Sequence, residues 1–210
     1  MIENNENRIF EESIPVDKID GYFFSREDYI LGIDEAGRGA LAGPVTVAGI
    51  LVHKNEVLPK GINDSKTITA INRTKLGNLL REKYNFFEIS IPNDVIDNIN
   101  ILKATLLGME SVAVRFRDIT KKSILIDGNI KPYYLKNCST IVKGDLRSKV
   151  IGAASILAKT KRDEIMTQFN IDNSIYNWAQ NKGYGTSKHI DLIRQFGKSG
   201  LHRMSFLKKY

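Results

Sequence analysis

Tyr29-Ile30-Leu31-Gly32-Ile33-Asp34-Glu35-Ala36-Gly37-Arg38-Gly39-Ala40-Leu41-Ala42-Gly43-Pro44 joins an apolar run of strand length to two carboxylates and a glycine-rich exit. Such a run is a buried strand, and the acids stand where it meets solvent. Successive strand side chains point to opposite faces, so Asp34 and Glu35 can serve one site only if the chain bends just after Asp34. Gly37 and Gly39 permit that bend. The glycines at 37, 39 and 43 also read as G-x-G-x-x-x-G, with Glu56 at a distance suited to a ribose contact. A dinucleotide fingerprint needs a helix next. Instead the chain continues with Pro44-Val45-Thr46-Val47-Ala48-Gly49-Ile50-Leu51-Val52, β-branched and strand-like, which disfavours that reading. A phosphate-binding loop fails too, because Gly37 is followed by Arg38-Gly39 and not by Lys and Ser or Thr. An acidic loop and a metal site remain, and the choice depends on carboxylates elsewhere.

The chain has 210 residues and a net charge of +7, from 31 Lys and Arg against 24 Asp and Glu. That length suits one domain of ordinary size with an appendage. Residues 1–28 hold eight acidic and three basic side chains, leaving 28 basic against 16 acidic for residues 29–210. The division predicts an acidic N-terminal extension over 1–28 that partly docks through its scattered apolar groups, and a basic body over 29–210. A basic body that also carries carboxylates suits a polyanion partner, lysines and arginines meeting phosphates while metals screen the acids. The single Cys138 excludes an internal disulfide and suits a reducing compartment. With no apolar run of membrane-spanning length and a polar start, a cytoplasmic protein without membrane contact is expected.

Along the chain, hydropathy periodicity predicts strands at 29–35, 44–53, 86–91, 123–126 and 140–142. Helices are expected at 67–84 with Thr67 as N-cap, at 101–116, at 147–169, around Ile175 to Trp178, and from Thr186 or Ser187 to Phe196. The fold class is therefore α/β, a mixed sheet flanked by helices with a helical C-terminal part.

Two further acids repeat the setting of Asp34. Asp127 leaves the apolar Ile124-Leu125-Ile126, and Asp145 comes after Thr140-Ile141-Val142 and Lys143-Gly144. Singly, Asp127-Gly128-Asn129 is a hairpin turn signal and Asp145 stands where a helix N-cap belongs. Together, carboxylates projecting from rigid strand ends are what phosphodiester hydrolysis with two hard ions about 4 Å apart requires. A zinc-type site is disfavoured, since His53, His189 and His202 have no paired spacing. Each histidine reads as a surface or packing residue, with His202 beside Arg203 a possible phosphate contact.

Gly32 to Gly39, Asp64-Ser65-Lys66, Leu125 to Asn129, Lys143-Gly144-Asp145, Ala153 to Lys159 with Arg162-Asp163, and Lys182 to Thr186 resemble, in order, the motifs of bacterial ribonuclease HII. The resemblance covers about residues 29–207. It departs at Ala40, where proline is common. It implies a ribonuclease-H-like fold, with Mg²⁺- or Mn²⁺-dependent cleavage of the RNA strand in RNA/DNA hybrids. It also implies nicking 5′ of ribonucleotides embedded in duplex DNA, leaving a 3′-hydroxyl and a 5′-phosphate. Asp34, Glu35, Asp127 and Asp145 match the family's catalytic, metal-holding acids. Gly37, Arg38 and Gly39 match the loop that reads the 2′-hydroxyl through its backbone, and Tyr184 the tyrosine that packs on the sugar of the following deoxynucleotide. Lys66 is a phosphate candidate because its motif matches. Ser155, Lys159 and Arg162 share one helical face by spacing, as phosphate contacts or as a solvated face. The sister family, ribonuclease HIII, carries an extra N-terminal domain for which 28 residues are too few. A monomer is expected, and the sequence points to no protein partner.

Overall fold

The computed structural model describes residues 15, 18–62, 68–135 and 137–208. Elements in chain order are α1 (Ile19–Phe24), β1 (Tyr29–Ala36), β2 (Val45–His53), α2 (Ala70–Lys83), β3 (Asn85–Ile91), α3 (Asn93–Ile99) and α4 (Ile101–Arg115). They continue with β4 (Lys122–Asp127), β5 (Ser139–Ile141), α5 (Gly144–Arg147), α6 (Lys149–Asp172), α7 (Trp178–Asn181), α8 (Ser187–Phe196) and a closing 3₁₀ turn at Met204–Phe206. The five strands form one sheet in the order β3-β2-β1-β4-β5, antiparallel on the β3-β2-β1 side and parallel from β1 through β4 to β5. The expected mixed sheet is present.

Alternation along β1 divides the core. Ile30 faces α6, where Val150, Ala154 and Leu157 bury a common stripe, while Leu31 and Ile33 face Met109 and Val112 of α4. Helix α6 lies so close that a Cβ on Gly32 would stand 2.7 Å from the Val150 carbonyl group. Any side chain there would push the long helix off the sheet. A third cluster, with Leu41, Met166, Tyr176, Trp178, Ile193 and Leu207, fastens the C-terminal part to the loop after β1.

Several expectations shift. Thr67 and Lys66 lie outside the described residues, and α2 begins at Ala70 with Thr69 as its cap, accepting from the Asn72 N–H. The helix around Ile175 shrinks to the single turn α7, because Asn177 stands at φ 53° and breaks helical geometry before Trp178. Helix α3 was not legible in Asn93-Asp94-Val95-Ile96-Asp97-Asn98-Ile99, where only Ile96 is buried. Of the extension's apolar groups, Ile9, Phe10 and Ile14 lie outside the described residues, while Ile19 and Phe23 of α1 enter the core beside α6. Asp20 accepts from the Ser148 hydroxyl at 2.5 Å and the Lys149 N–H at 2.8 Å, capping the long helix from outside.

Candidate active site

Parallel pairing brings the acids together. Ile33 of β1 is level with Ile126 of β4, so Asp34 and Asp127 leave adjacent strands side by side. Asp127 is in turn level with Ile141 of β5. Its Oδ1 accepts the Gly144 N–H at 2.6 Å, one residue before Asp145. The acids thus stand at the carboxyl ends of three neighbouring parallel strands, where α/β sheets open their crevices. Both turn-and-cap readings fail on this geometry. β4 and β5 run parallel, so Asp127-Gly128-Asn129 is no hairpin. Asp145 lies inside α5, and Ser148 caps the next helix by accepting from the Ile151 N–H.

Asp34, Glu35, Asp127 and Asp145 line one cleft of about 240 Å³, together with Gly37, Ser155, Lys159, Arg162 and Tyr184. The bend expected just after Asp34 falls later: β1 continues to Ala36 and Gly37 turns at φ 95°. Burial raises the Asp34 pKa well above the ordinary carboxylate value, and the Glu35 and Asp127 charges add to it. Burial also raises Glu35, opposed by Arg38, whose guanidinium lies 3.3 Å from Oε1. The other oxygen, Glu35 Oε2, is buried with no hydrogen-bond donor.

Four carboxylates, one of them with an orphaned oxygen, form a hard all-oxygen donor set suited to a divalent cation. Burial and the neighbouring carboxylate charges make two of them, Asp34 and Glu35, resist ionisation. The fit is one of chemistry and not of a finished cage: among the described residues, no three His, Cys, Asp or Glu side chains already converge as metal ligands.

Around the acids the predicted residues divide. Tyr184 is 43% exposed and lines the cleft, while Lys159 is exposed and Ser155 half-buried on the α6 face toward it. Arg162 departs from the expectation of a phosphate contact or a solvated face. It is buried, and its guanidinium donates to the carbonyls of Pro44 (2.9 Å), Lys182 (2.8 Å) and Ala42 (3.2 Å). Its charge therefore ties two loops together beneath the cleft. Arg203, also buried, ties the C-terminal segment to the loop after β1 through the carbonyls of Gly43 and Arg38. His202 is no phosphate contact, being 1% exposed and packed on Tyr176 and His189.

Gly39 contrasts with its neighbours. A Cβ on Gly37 would meet Arg162, and one on Gly183, at φ 79°, would stand 2.4 Å from the Ala42 oxygen. One on Gly39 would meet nothing within 4 Å. Protein packing explains the first two glycines and leaves the third open toward solvent. Ala40 uses the N–H that a proline would lack, donating to the Gly37 oxygen at 3.3 Å.

Sequence reasoning missed Arg73 of α2 and Asp163 of α6, which line the cleft and pair at 3.4 Å. Asp163 belonged to a matched motif without a role. Arg73 gave no signal, because only the packing of α2 on α6 brings it to the site.

The sequence profile of the family described as Ribonuclease HII matches residues 31–209, nearly the whole body of the chain. The chain belongs to the ribonuclease HII family. It is a ribonuclease H, an endonuclease acting on RNA/DNA hybrids. Ribonuclease HII of Endomicrobium trichonymphae is 40% identical over 191 residues, covering 89% of this chain and 90% of that one. Among solved structures, the RNase HII bound to PCNA from Archaeoglobus fulgidus shares the fold with a TM-score of 0.70. It is 20% identical, with 83% of this chain and 93% of that one covered. Bst-RNase HIII in complex with Mn²⁺ also superposes with a TM-score of 0.70, at 19% identity over 88% of this chain and 69% of that one.

Proposed function

We propose that this ribonuclease HII hydrolyses the RNA strand of RNA/DNA hybrids and nicks duplex DNA on the 5′ side of an embedded ribonucleotide. The products are a 3′-hydroxyl and a 5′-phosphate. Asp34, Glu35, Asp127 and Asp145 hold Mg²⁺ or Mn²⁺. The observation that carries this is the convergence of the four acids, from the ends of three adjacent strands, on a cleft bordered by the Gly37 turn and a half-exposed tyrosine. The Mn²⁺ complex of a structurally similar RNase HIII supports the choice of ion.

Held by these four acids, a divalent ion would supply Lewis-acid chemistry, lowering the pKa of the attacking water and stabilising charge on the phosphate and leaving oxygen. The chain's own residues position the duplex. The open space at Gly39, with Gly37 and Arg38, suits direct backbone contact to a 2′-hydroxyl, the group that separates RNA from DNA. The Tyr184 ring packs on the next sugar, which in a DNA context lacks that hydroxyl. Ser155 and Lys159 face the backbone phosphates. Lys66, outside the described residues, is assigned the same task on its motif alone. Arg162 shapes both loops from beneath. The enzyme works as a monomer in the cytoplasm. The Cys138 thiol is buried and donates to the Leu135 carbonyl.

A labelled DNA duplex with one ribonucleotide, incubated with and without Mg²⁺ or Mn²⁺ beside an all-DNA control, tests the reading. The expected product is a metal-dependent nick immediately 5′ of the ribonucleotide, absent from the control. Binding without cutting would overturn it in favour of a non-catalytic duplex-binding module. In Asp127→Asn, cleavage is expected to vanish while duplex binding persists, because the asparagine oxygen still accepts from Gly144 but the anionic donor is gone.

A further inference from the structure

Below the Tyr184 loop lies a hydrogen-bonded chain whose proton positions are set by one backbone group. The Ser199 N–H donates to His202 Nδ1 at 2.8 Å, and an amide nitrogen can only donate. His202 therefore carries its proton on Nε2. That proton points at His189 Nε2, 3.2 Å away, which must accept. His189 is then protonated on Nδ1, which donates to the Tyr184 carbonyl at 2.9 Å. Every donor meets an acceptor, with both rings neutral. His189 is 0% exposed and His202 1%, enclosed by Tyr176 and Trp178, so neither touches solvent or the cleft. The Tyr184 carbonyl also receives the Thr186 N–H at 2.8 Å, which fills its second lone pair. The same histidine is anchored at its main chain, since its N–H donates to the Thr186 side chain capping α8. The loop that presents Tyr184 is thus fixed from below by His189, and His189 by His202 and Ser199.

We propose that His189 and His202 are positioning residues for substrate selection, a relay from Ser199 that holds the Tyr184 main chain so that the ring meets the sugar beside the cut. This rests on the assignment of Tyr184 to that sugar. The relay acts through the loop and touches no substrate. It makes discrimination between a single ribonucleotide in DNA and a continuous RNA strand depend on two buried rings that the cleft does not contain.

The test compares kcat/KM on a DNA duplex with one ribonucleotide against kcat/KM on a long RNA/DNA hybrid. In His189→Leu the ratio of the two is expected to fall about tenfold, the loss of one well-placed hydrogen bond. His189→Asn keeps an N–H near the Nδ1 position and is expected to restore the ratio to within about threefold of wild type. Tyr184→Ala should lower the ratio by itself, and adding His189→Leu should lower it no further. A parallel loss on both substrates, an asparagine variant no better than leucine, or additive losses would each overturn the relay. A normal ratio in Tyr184→Ala would instead remove the underlying assignment, and the proposal with it. A measurement on the unmutated enzyme guards against variants that fail to fold. Imidazole ¹⁵N spectra at neutral pH should show His202 protonated on Nε2 and His189 on Nδ1, and the opposite tautomer at His189 would refute the relay.

Discussion

The Nε of Arg162 occupies the place where a side chain on Gly37 would begin: a Cβ built there would stand 1.9 Å away. The turn that ends β1 and the arginine beneath it are therefore one device. Gly37 turns at positive φ, and the guanidinium filling the space gathers the Ala42, Pro44 and Lys182 carbonyls that would otherwise be buried without donors.

Arg162 and Lys159, a turn apart on α6, should behave oppositely. Arg162→Gln strands buried carbonyls and is expected to cost about 3 kcal/mol of folding stability, measured by urea unfolding. Lys159→Ala should leave stability within about 0.5 kcal/mol. It should weaken duplex binding and reduce the salt-dependence slope by about one. Equal stability losses in the two variants would contradict this division.

The carboxylate cluster sets a pH and metal dependence. Asp34 has a folded-state pKa above its unfolded value, so the folded protein holds more protons between the two. In the metal-free protein its contribution to stability is present below the unfolded value near 3.8 and is lost as pH rises through the folded pKa. Calorimetry in EDTA should show wild type losing stability relative to Asp34→Asn over that rise. Mg²⁺ at neutral pH should raise the wild-type melting temperature, the gain reaching about 2.7 kcal/mol at a hundred times Kd. No melting shift with either Mg²⁺ or Mn²⁺ would count against these acids as the metal site.

His202 acts in the other direction. Burial and its neighbour His189 push its pKa from 6.5 down to about 4. Between those values the unfolded chain holds the extra proton, so stability is full above 6.5 and falls as pH drops toward 4. The slope reaches about 1.4 kcal/mol per pH unit. Unfolding curves for wild type and His202→Asn should converge across that window, because asparagine does not titrate. A constant difference from pH 7 to pH 4 would show that His202 titrates normally.

Two deletions separate charge from packing at the N-terminus. Residues 1–14 hold four glutamates and one arginine. If that charge lies near the basic body, removing them should tighten duplex binding at low salt, an effect that fades as salt screens it. Removing residues 1–28 should also lower the melting temperature by several degrees. That cut takes away Ile19, Phe23 and the Asp20 cap on α6. Identical binding and melting behaviour in the two deletions would rule out the distinction.

The sequence by itself determined where reactive groups leave regular structure. Apolar runs ending in Asp34 and Asp127, and a third ending just before Asp145, show their strand exits through local hydropathy alone, and the motif order showed the family. Tertiary structure decided what those exits share. Asp34 meets Asp127 because β1 and β4 pair in parallel with Ile33 level with Ile126. No local pattern encodes a register across some ninety residues. Burial turned Arg162 from a phosphate contact or a solvated face into a loop tie, and left His202 a packing residue, the first of its two sequence readings. Spacing on a helix shows which residues share a face. What covers that face, and so whether a charge meets solvent, phosphate or a carbonyl, depends on segments distant in sequence that only packing brings near.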